Sequence, residues 1–296
     1  NWRYGRAVLV AIAIGAGLML LTISMPGQQE VSTVQRGMAS PERLLKNLRQ
    51  RVNELSIGLD RLWCITRRIG STGGFCLTED NIFAGGNHAW DVEVCRDLEN
   101  LFGNSSVVDM GAGLGHYGKC FLRMKDPIFT VKPNEKTVKL HHSYLSMMQD
   151  LFKKPKVIKS WDGYDGAINV GFLSNGFIKQ QDLSITDMWL GRTWDWVLSL
   201  EVGEHIPAPY EDIFIDNLVR HGCKGLVLSW AVKNQGGHHH VNEHSNAYVK
   251  QKMAERGLTN DADAENIIRT HTTLNWFKNT IMVFRYPDDY KCENGR

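Results

Sequence analysis

The stretch Val107-Val108-Asp109-Met110-Gly111-Ala112-Gly113-Leu114-Gly115-His116-Tyr117-Gly118-Lys119 decides the fold. Apolar residues run into an acid, glycine then stands at every second position, and a helix-prone segment follows. The pattern reads as a buried strand, a tight turn and a helix start. Glycine has no Cβ, so the backbone can take positive φ and come close to a ligand. The helix that follows offers its unpaired N–H groups and positive dipole end to whatever the turn holds.

Two ligand classes use such a turn. Dinucleotide sites space it G-x-G-x-x-G and set a pyrophosphate on the helix N-terminus. Here the spacing is Gly111-x-Gly113-x-Gly115, with Asp109 two residues ahead. An acid there repels a diphosphate and welcomes a cationic amino-acid ligand. The stretch resembles motif I of the class I S-adenosylmethionine-dependent methyltransferases, apolar-apolar-acid-apolar-Gly-x-Gly-x-Gly, at every position. The resemblance implies that Asp109, Gly111, Gly113 and Gly115 bind S-adenosyl-L-methionine.

Further segments fit in order. Val157-Ile158 leads into Lys159-Ser160-Trp161-Asp162-Gly163-Tyr164-Asp165-Gly166. The resemblance implies a second strand ending in a carboxylate that accepts from both ribose hydroxyls of the cofactor. Asp165 is the choice and Asp162 the alternative, although both also suit turns before glycine. Phe177 to Leu183 reads as a third strand running into an acid. There the resemblance implies that Asp182 accepts from the adenine amino group and that the Leu183 backbone N–H meets the ring. Trp194 to Leu200 is a fourth strand. The segment after it, Glu201-Val202-Gly203-Glu204-His205-Ile206-Pro207, resembles the same region of many small-molecule methyltransferases. Lys224 to Trp230 is a fifth strand, and Lys278 to Tyr286 reads as a closing antiparallel one.

Strands alternating with helical segments argue an α/β fold on pattern alone. The expectation is a seven-stranded, mostly parallel Rossmann-like methyltransferase sheet with helices on both faces. Six strands are placed in the sequence and the seventh is not. The resemblance covers roughly Ala84 to Pro287. Within it, Asp91 to Phe102 reads as a helix that stops at Gly103, and Lys132 to Lys156 as an insertion. His88 and Trp90 are candidates for a segment that covers the substrate, or ordinary loop residues.

Methyl transfer to a hydroxyl needs alignment and removal of a proton. Histidine suits that task near neutral pH. His205 is the favoured base and His240, in Gly236-Gly237-His238-His239-His240-Val241-Asn242, the second; Glu201 or Glu204 would support or replace them. A histidine base predicts a rate that falls on acidification through a pKa of about 6–7. No metal centre is expected, because three adjacent imidazoles cannot easily face one ion and no cysteine pair has ligand spacing.

The chain of 296 residues carries a formal charge of only +2, with Lys and Arg spread along it. Nothing there marks a nucleic-acid footprint. Ala7 to Ile23 is uncharged and almost wholly apolar, the short end of what spans a bilayer. Arg3 and Arg6 precede it, so an uncleaved anchor would leave the body lumenal. The expected organisation is an N-terminal transmembrane helix in 1–25, a linker and helical stem in 26–74, and the methyltransferase domain in 75–296. Leucines and Val52 between Leu45 and Leu62 recur at spacings of three and four. That seam fits a homodimeric stem or a helix lying on the domain. Six cysteines and the sequon Asn104-Ser105-Ser106 are compatible with a lumenal location.

Two functions from different classes follow. One is a single-pass type II enzyme of the Golgi or ER that O-methylates a small molecule or glycan. The other is a membrane-anchored binding or scaffold protein whose methyltransferase fold does not turn over.

Overall fold

The strand that carries the acid and the glycine turn, Ser106–Met110, is buried at all five positions. A strand covered on both faces is the mark of a parallel sheet sandwiched by helices. The structure, a computed structural model, describes residues 8–14, 17–23, 51, 70–77, 90–125, 142–143 and 145–292. The chain divides into two units, Asn1–Ser56 and Ile57–Arg296.

In the first unit β1 (Val8–Ile14) pairs antiparallel with β2 (Gly17–Ile23), Val8 opposite Ile23 and Ile14 opposite Gly17. The helix expected over Ala7 to Ile23 is therefore replaced by two strands. An unbroken apolar run has no period that selects helix over strand. Gly15 and Gly17 punctuate it, and glycine costs a helix interior about 0.5–1 kcal/mol. Among the described residues no helix is long and apolar enough to cross a membrane. Apart from Arg51, the seam from Leu45 to Leu62 lies outside the described residues, as does His88.

The second unit holds β3 (Ser106–Met110), β4 (Ser160–Asp165), β5 (Ile178–Gln180), β6 (Trp194–Ser199), β7 (Gly222–Ser229), β8 (Thr259–Asn260) and β9 (Ile281–Arg285). They form one sheet in the order β5-β4-β3-β6-β7-β9-β8. Counted within the sheet this is 3-2-1-4-5-7-6, the Rossmann-like methyltransferase arrangement. The first five strands are parallel, and β9 runs antiparallel to β7 and β8. The unplaced seventh strand is β8, two exposed residues at the edge. The closing strand begins at Ile281, because Phe277–Thr280 is a helical turn.

Helices among the described residues include α1 (Val92–Phe102), α2 (His116–Leu122), α3 (Gln149–Phe152), α4 (Val170–Leu173), α5 (Glu211–His221), α6 (Asn246–Ala254), α7 (Ala262–His271) and α8 (Phe277–Thr280). Alternate strand residues face opposite sides, as a pleated strand requires. Val107, Leu198, Val227, Ile281 and Val283 pack with Leu98 and Phe102 of α1, Phe121 of α2 and Ile268 of α7. Their neighbours Val108, Val197, Leu226, Met282 and Phe284 pack on the other face, with Phe214 and Leu218 of α5 and Met253 of α6. Side-chain caps fix where three helices start: Asp91 accepts from the Glu93 N–H, Ser245 from Tyr248 and Asp261 from Ala264.

Strand order reverses between β3 and β6, since β4 lies on one side of β3 and β6 on the other. Such a switch point opens a crevice at the carboxyl ends of the strands.

Candidate functional site

A cavity of about 440 Å3 opens there. The glycine turn makes its first wall. Beyond β3 the N–H groups of Gly111 and Ala112 both donate to the Tyr164 carbonyl, at 2.8 and 2.9 Å, so the turn stays tied to β4. Gly111 has φ +91°, and a Cβ there would overlap the Val202 side chain. Gly111 and Gly113 line the cavity, whereas Gly115 does not. Gly115 instead starts α2 at φ +70°, pressed against Phe177 and Ile178.

Asp109 lines the cavity at 4 % exposure. Burial, then the charge of Asp165, pushes its carboxyl up to about 8. Asp165 ends β4, and each of its oxygens takes one backbone N–H: Oδ2 that of Gly113 at 2.7 Å, Oδ1 that of Ala167 at 2.7 Å. A carboxylate oxygen has two lone pairs, so both oxygens keep one for a ligand. The alternative acid, Asp162, is not among the lining residues. It pairs with Lys179 Nζ at 3.0 Å and accepts from Trp194 Nε1 at 3.0 Å.

Asp182 follows β5 and lines the cavity with Leu183. Its Oδ1 accepts from the Ser184 N–H and hydroxyl, and its Oδ2 from Thr72 Oγ1 at 2.9 Å. Residues 72–74, expected to belong to the linker and stem ahead of the domain, thus form part of the cavity wall together with Phe75. Only the Gly73-Gly74 pair hinted at close backbone approach there. Trp90 also lines the cavity, and so do Tyr117, Trp276 and Phe277, which sequence reasoning missed as site residues. Apolar or aromatic residues carry no sequence mark that separates a lining position from a core one.

The far wall comes from the loops after β6 and β7. Glu201 has φ +55°, a conformation costly for a non-glycine residue and common at working sites. Its Oε1 accepts from Ser229 Oγ at 2.7 Å, and burial raises its carboxyl. The turn Gly203–His205 follows. His205 lines the cavity, its Nδ1 3.1 Å from the His239 carbonyl oxygen and its ring edge-on to Phe75. Burial, opposed by that hydrogen bond and aided by neighbouring imidazoles, pushes it down to about 4. That corrects the expected titration at 6–7: a buried ring among other imidazoles resists protonation. His240 also lines the cavity, ring centroid 5.0 Å from that of His205. The structure therefore brings Asp109, Gly111, Gly113, Asp165, Asp182, Leu183, Glu201, His205 and His240 around one cavity.

Among the described residues four acidic side chains line this cavity, Asp109, Asp165, Asp182 and Glu201, and no Lys or Arg does. Such a lining suits a cationic, hydroxyl-rich ligand and disfavours a diphosphate.

No family model and no curated protein matches the chain. Its neighbours among solved structures are class I S-adenosylmethionine-dependent methyltransferases. A magnesium protoporphyrin IX methyltransferase from Synechocystis PCC 6803 with bound SAH has 15% identity and a TM-score of 0.38, over 69% of this chain and 91% of that one. The N-methyltransferase NodS of Bradyrhizobium japonicum WM9, in complex with S-adenosyl-L-homocysteine, has 13% identity and a TM-score of 0.41, over 66% and 85%. A TehB-like SAM-dependent methyltransferase from Corynebacterium glutamicum has 12% identity and a TM-score of 0.40, over 70% and 93%. The likeness is one of fold, and the reading of the site rests on this chain's own residues.

Proposed function

We propose that this protein is an S-adenosyl-L-methionine-dependent methyltransferase that O-methylates a small molecule or glycan. The observation that carries the reading is the cavity at the switch point, with four acidic side chains and, among the described residues, no Lys or Arg on its wall. S-Adenosylmethionine, when bound, supplies a methyl group activated on a sulfonium. Asp165 would hold the ribose hydroxyls, Asp182 and the Leu183 backbone the adenine, and the glycine turn with Asp109 the cationic amino-acid end. The opposite wall, with Glu201, His205 and His240, would receive the acceptor hydroxyl and its proton. A neutral His205 suits that wall, because only an unprotonated ring has a lone pair to offer.

A lumen-facing location is part of the proposal, supported by the disulfides Cys95–Cys120 and Cys223–Cys292, since such bonds persist in oxidising compartments. Purified protein incubated with methyl-labelled cofactor and fractionated glycan and small-molecule acceptors tests the function. Label on a hydroxyl-bearing acceptor supports it. Tight cofactor binding with no transfer to any fraction would favour a scaffold instead.

A further inference from the structure

The acceptor wall contains a cluster whose geometry goes further than proton transfer. Glu204, His205 and His240 each place one potential ligand atom so that all lie within 4.8 Å of one another. Glu204 is 0% exposed, and neither of its carboxylate oxygens makes a well-formed hydrogen bond. Its own N–H, that of Ala231 and the Glu201 carboxyl lie nearby without closing one. A buried charged carboxylate without a counter-ion is costly, and a cation held together with the two neighbouring imidazoles would offset that cost.

The imidazoles are set for ligation. A carbonyl oxygen can only accept, so the contact from His205 Nδ1 to the His239 carbonyl places the proton on Nδ1 and the lone pair on Nε2. His240 Nδ1 lies 3.1 Å from Glu243 Oε1, which fixes the same tautomer. Glu243 is held in turn by the N–H groups of Asn234 and Gly236, at 2.8 and 3.0 Å. Orientation of a ring by a carboxylate or carbonyl on its other nitrogen is the usual support of a metal-bound histidine. The two loops are also docked: the N–H groups of Val241 and Asn242 both donate to the Glu204 carbonyl, at 2.9 and 3.0 Å. The separations therefore belong to a rigid frame.

We propose that Glu204, His205 and His240 bind a divalent transition-metal ion on the acceptor wall, with Glu201 next to it. Two imidazoles and a carboxylate suit zinc, manganese, cobalt or iron better than magnesium or calcium. Three protein ligands leave positions open towards the cavity for an oxygen of the acceptor. The expectation of no metal centre rested on three adjacent histidines facing one ion. This cluster takes only His240 from that triplet, and its other ligands come from the turn after β6.

The consequence for chemistry deepens the transferase reading and rests on it. A divalent ion lowers the pKa of a bound water from 15.7 to about 7. An acceptor hydroxyl on the ion would likewise lose its proton more easily, to the Glu201 carboxylate on the same wall, and His205 would act as a ligand, not a base.

The test is a titration of metal-stripped full-length protein with Zn2+, Mn2+ and Co2+ by calorimetry, with the visible spectrum of Co2+ as a second readout. One equivalent should bind. Glu204→Gln and His240→Ala should each weaken binding by more than the roughly 10–100-fold that losing an outer partner costs. Glu243→Gln should fall within that range, and the double variant His238→Ala, His239→Ala should bind as wild type does. Circular dichroism checks that each variant is folded, and S-adenosylmethionine binding is titrated in the same samples. No ion bound by wild type, or binding lost only with His238 and His239, overturns the site. Normal cofactor binding in that event leaves the transferase reading standing, whereas metal binding without cofactor binding removes the transferase reading alone.

Discussion

The Gly113 N–H donates to Asp165 Oδ2 at 2.7 Å, so the turn after β3 and the end of β4 are fastened to each other beside the cavity. The ligand site is thus a property of two strands and not of the glycine turn alone. Replacing Asp165 by Ala should remove this tie and the ribose contact together, weakening S-adenosylmethionine binding by roughly 1–3 kcal/mol. Asp162→Ala, which breaks only the pairing with Lys179 and Trp194, should bind cofactor normally in the same calorimeter. The reverse pattern would move the ribose site off Asp165.

Asp109 supplies a pH dependence. Its folded pKa of about 8 lies above the ordinary 3.8, so the folded state holds a proton that the unfolded chain has lost across that window. The stability it contributes is complete below about 3.8 and is lost as pH rises through about 8. Thermal melts of the ligand-free protein should decline in Tm over that window, and Asp109→Asn should flatten the decline. A Tm that rises across it in wild type would contradict the assignment.

Asp91 carries the stability of the α1 end of the domain. Its Oδ1 caps α1, and its Oδ2 accepts from the Thr272 hydroxyl, from the Thr273 hydroxyl and N–H, and from the Leu274 N–H. Burial works to raise this carboxyl, but those hydrogen bonds outweigh it and hold it below the ordinary value. Asp91→Ala should cost about 2–4 kcal/mol in denaturant unfolding, from the lost cap and the orphaned donors. The contribution is present above the ordinary carboxylate range and fades as pH falls through the lower folded pKa, so the variant should also lose part of the acid sensitivity of wild type.

Much of this was legible in sequence. β3, β6 and β7 read as strands because each is an apolar run buried on both faces, and the acids Asp109, Asp165, Asp182 and Glu201 stand at or just past strand ends. Other parts carried no local signal. β8 is two exposed residues that pair only because β9 passes them. The pairing of Glu204 with His240 depends on two loops meeting across the sheet end, and nothing in the triplet His238-His239-His240 says which ring faces inward. Gly115 matches the glycine pattern in spacing, yet packing against Phe177 and Ile178 is what demands it.

The bond Cys95–Cys120 joins α1 to α2 between two fully buried positions 25 residues apart. Removing it with Cys95→Ala and Cys120→Ala should lower stability by roughly 3–4 kcal/mol on the loop-entropy scale. The lumenal proposal adds a second outcome: in sealed microsomes the domain should resist protease until detergent is added. Digestion without detergent would put the domain on the cytosolic side.

The central claim is that the cavity at the switch point holds S-adenosylmethionine, and calorimetric titration of wild type and Gly113→Val tests it most directly. Gly113 lines the cavity at φ +53°, where a valine is strained and intrudes on ligand space. Wild type should bind one equivalent of cofactor, and the folded variant should show no measurable binding. Absence of binding to wild type, or equal affinity in Gly113→Val, would contradict the account.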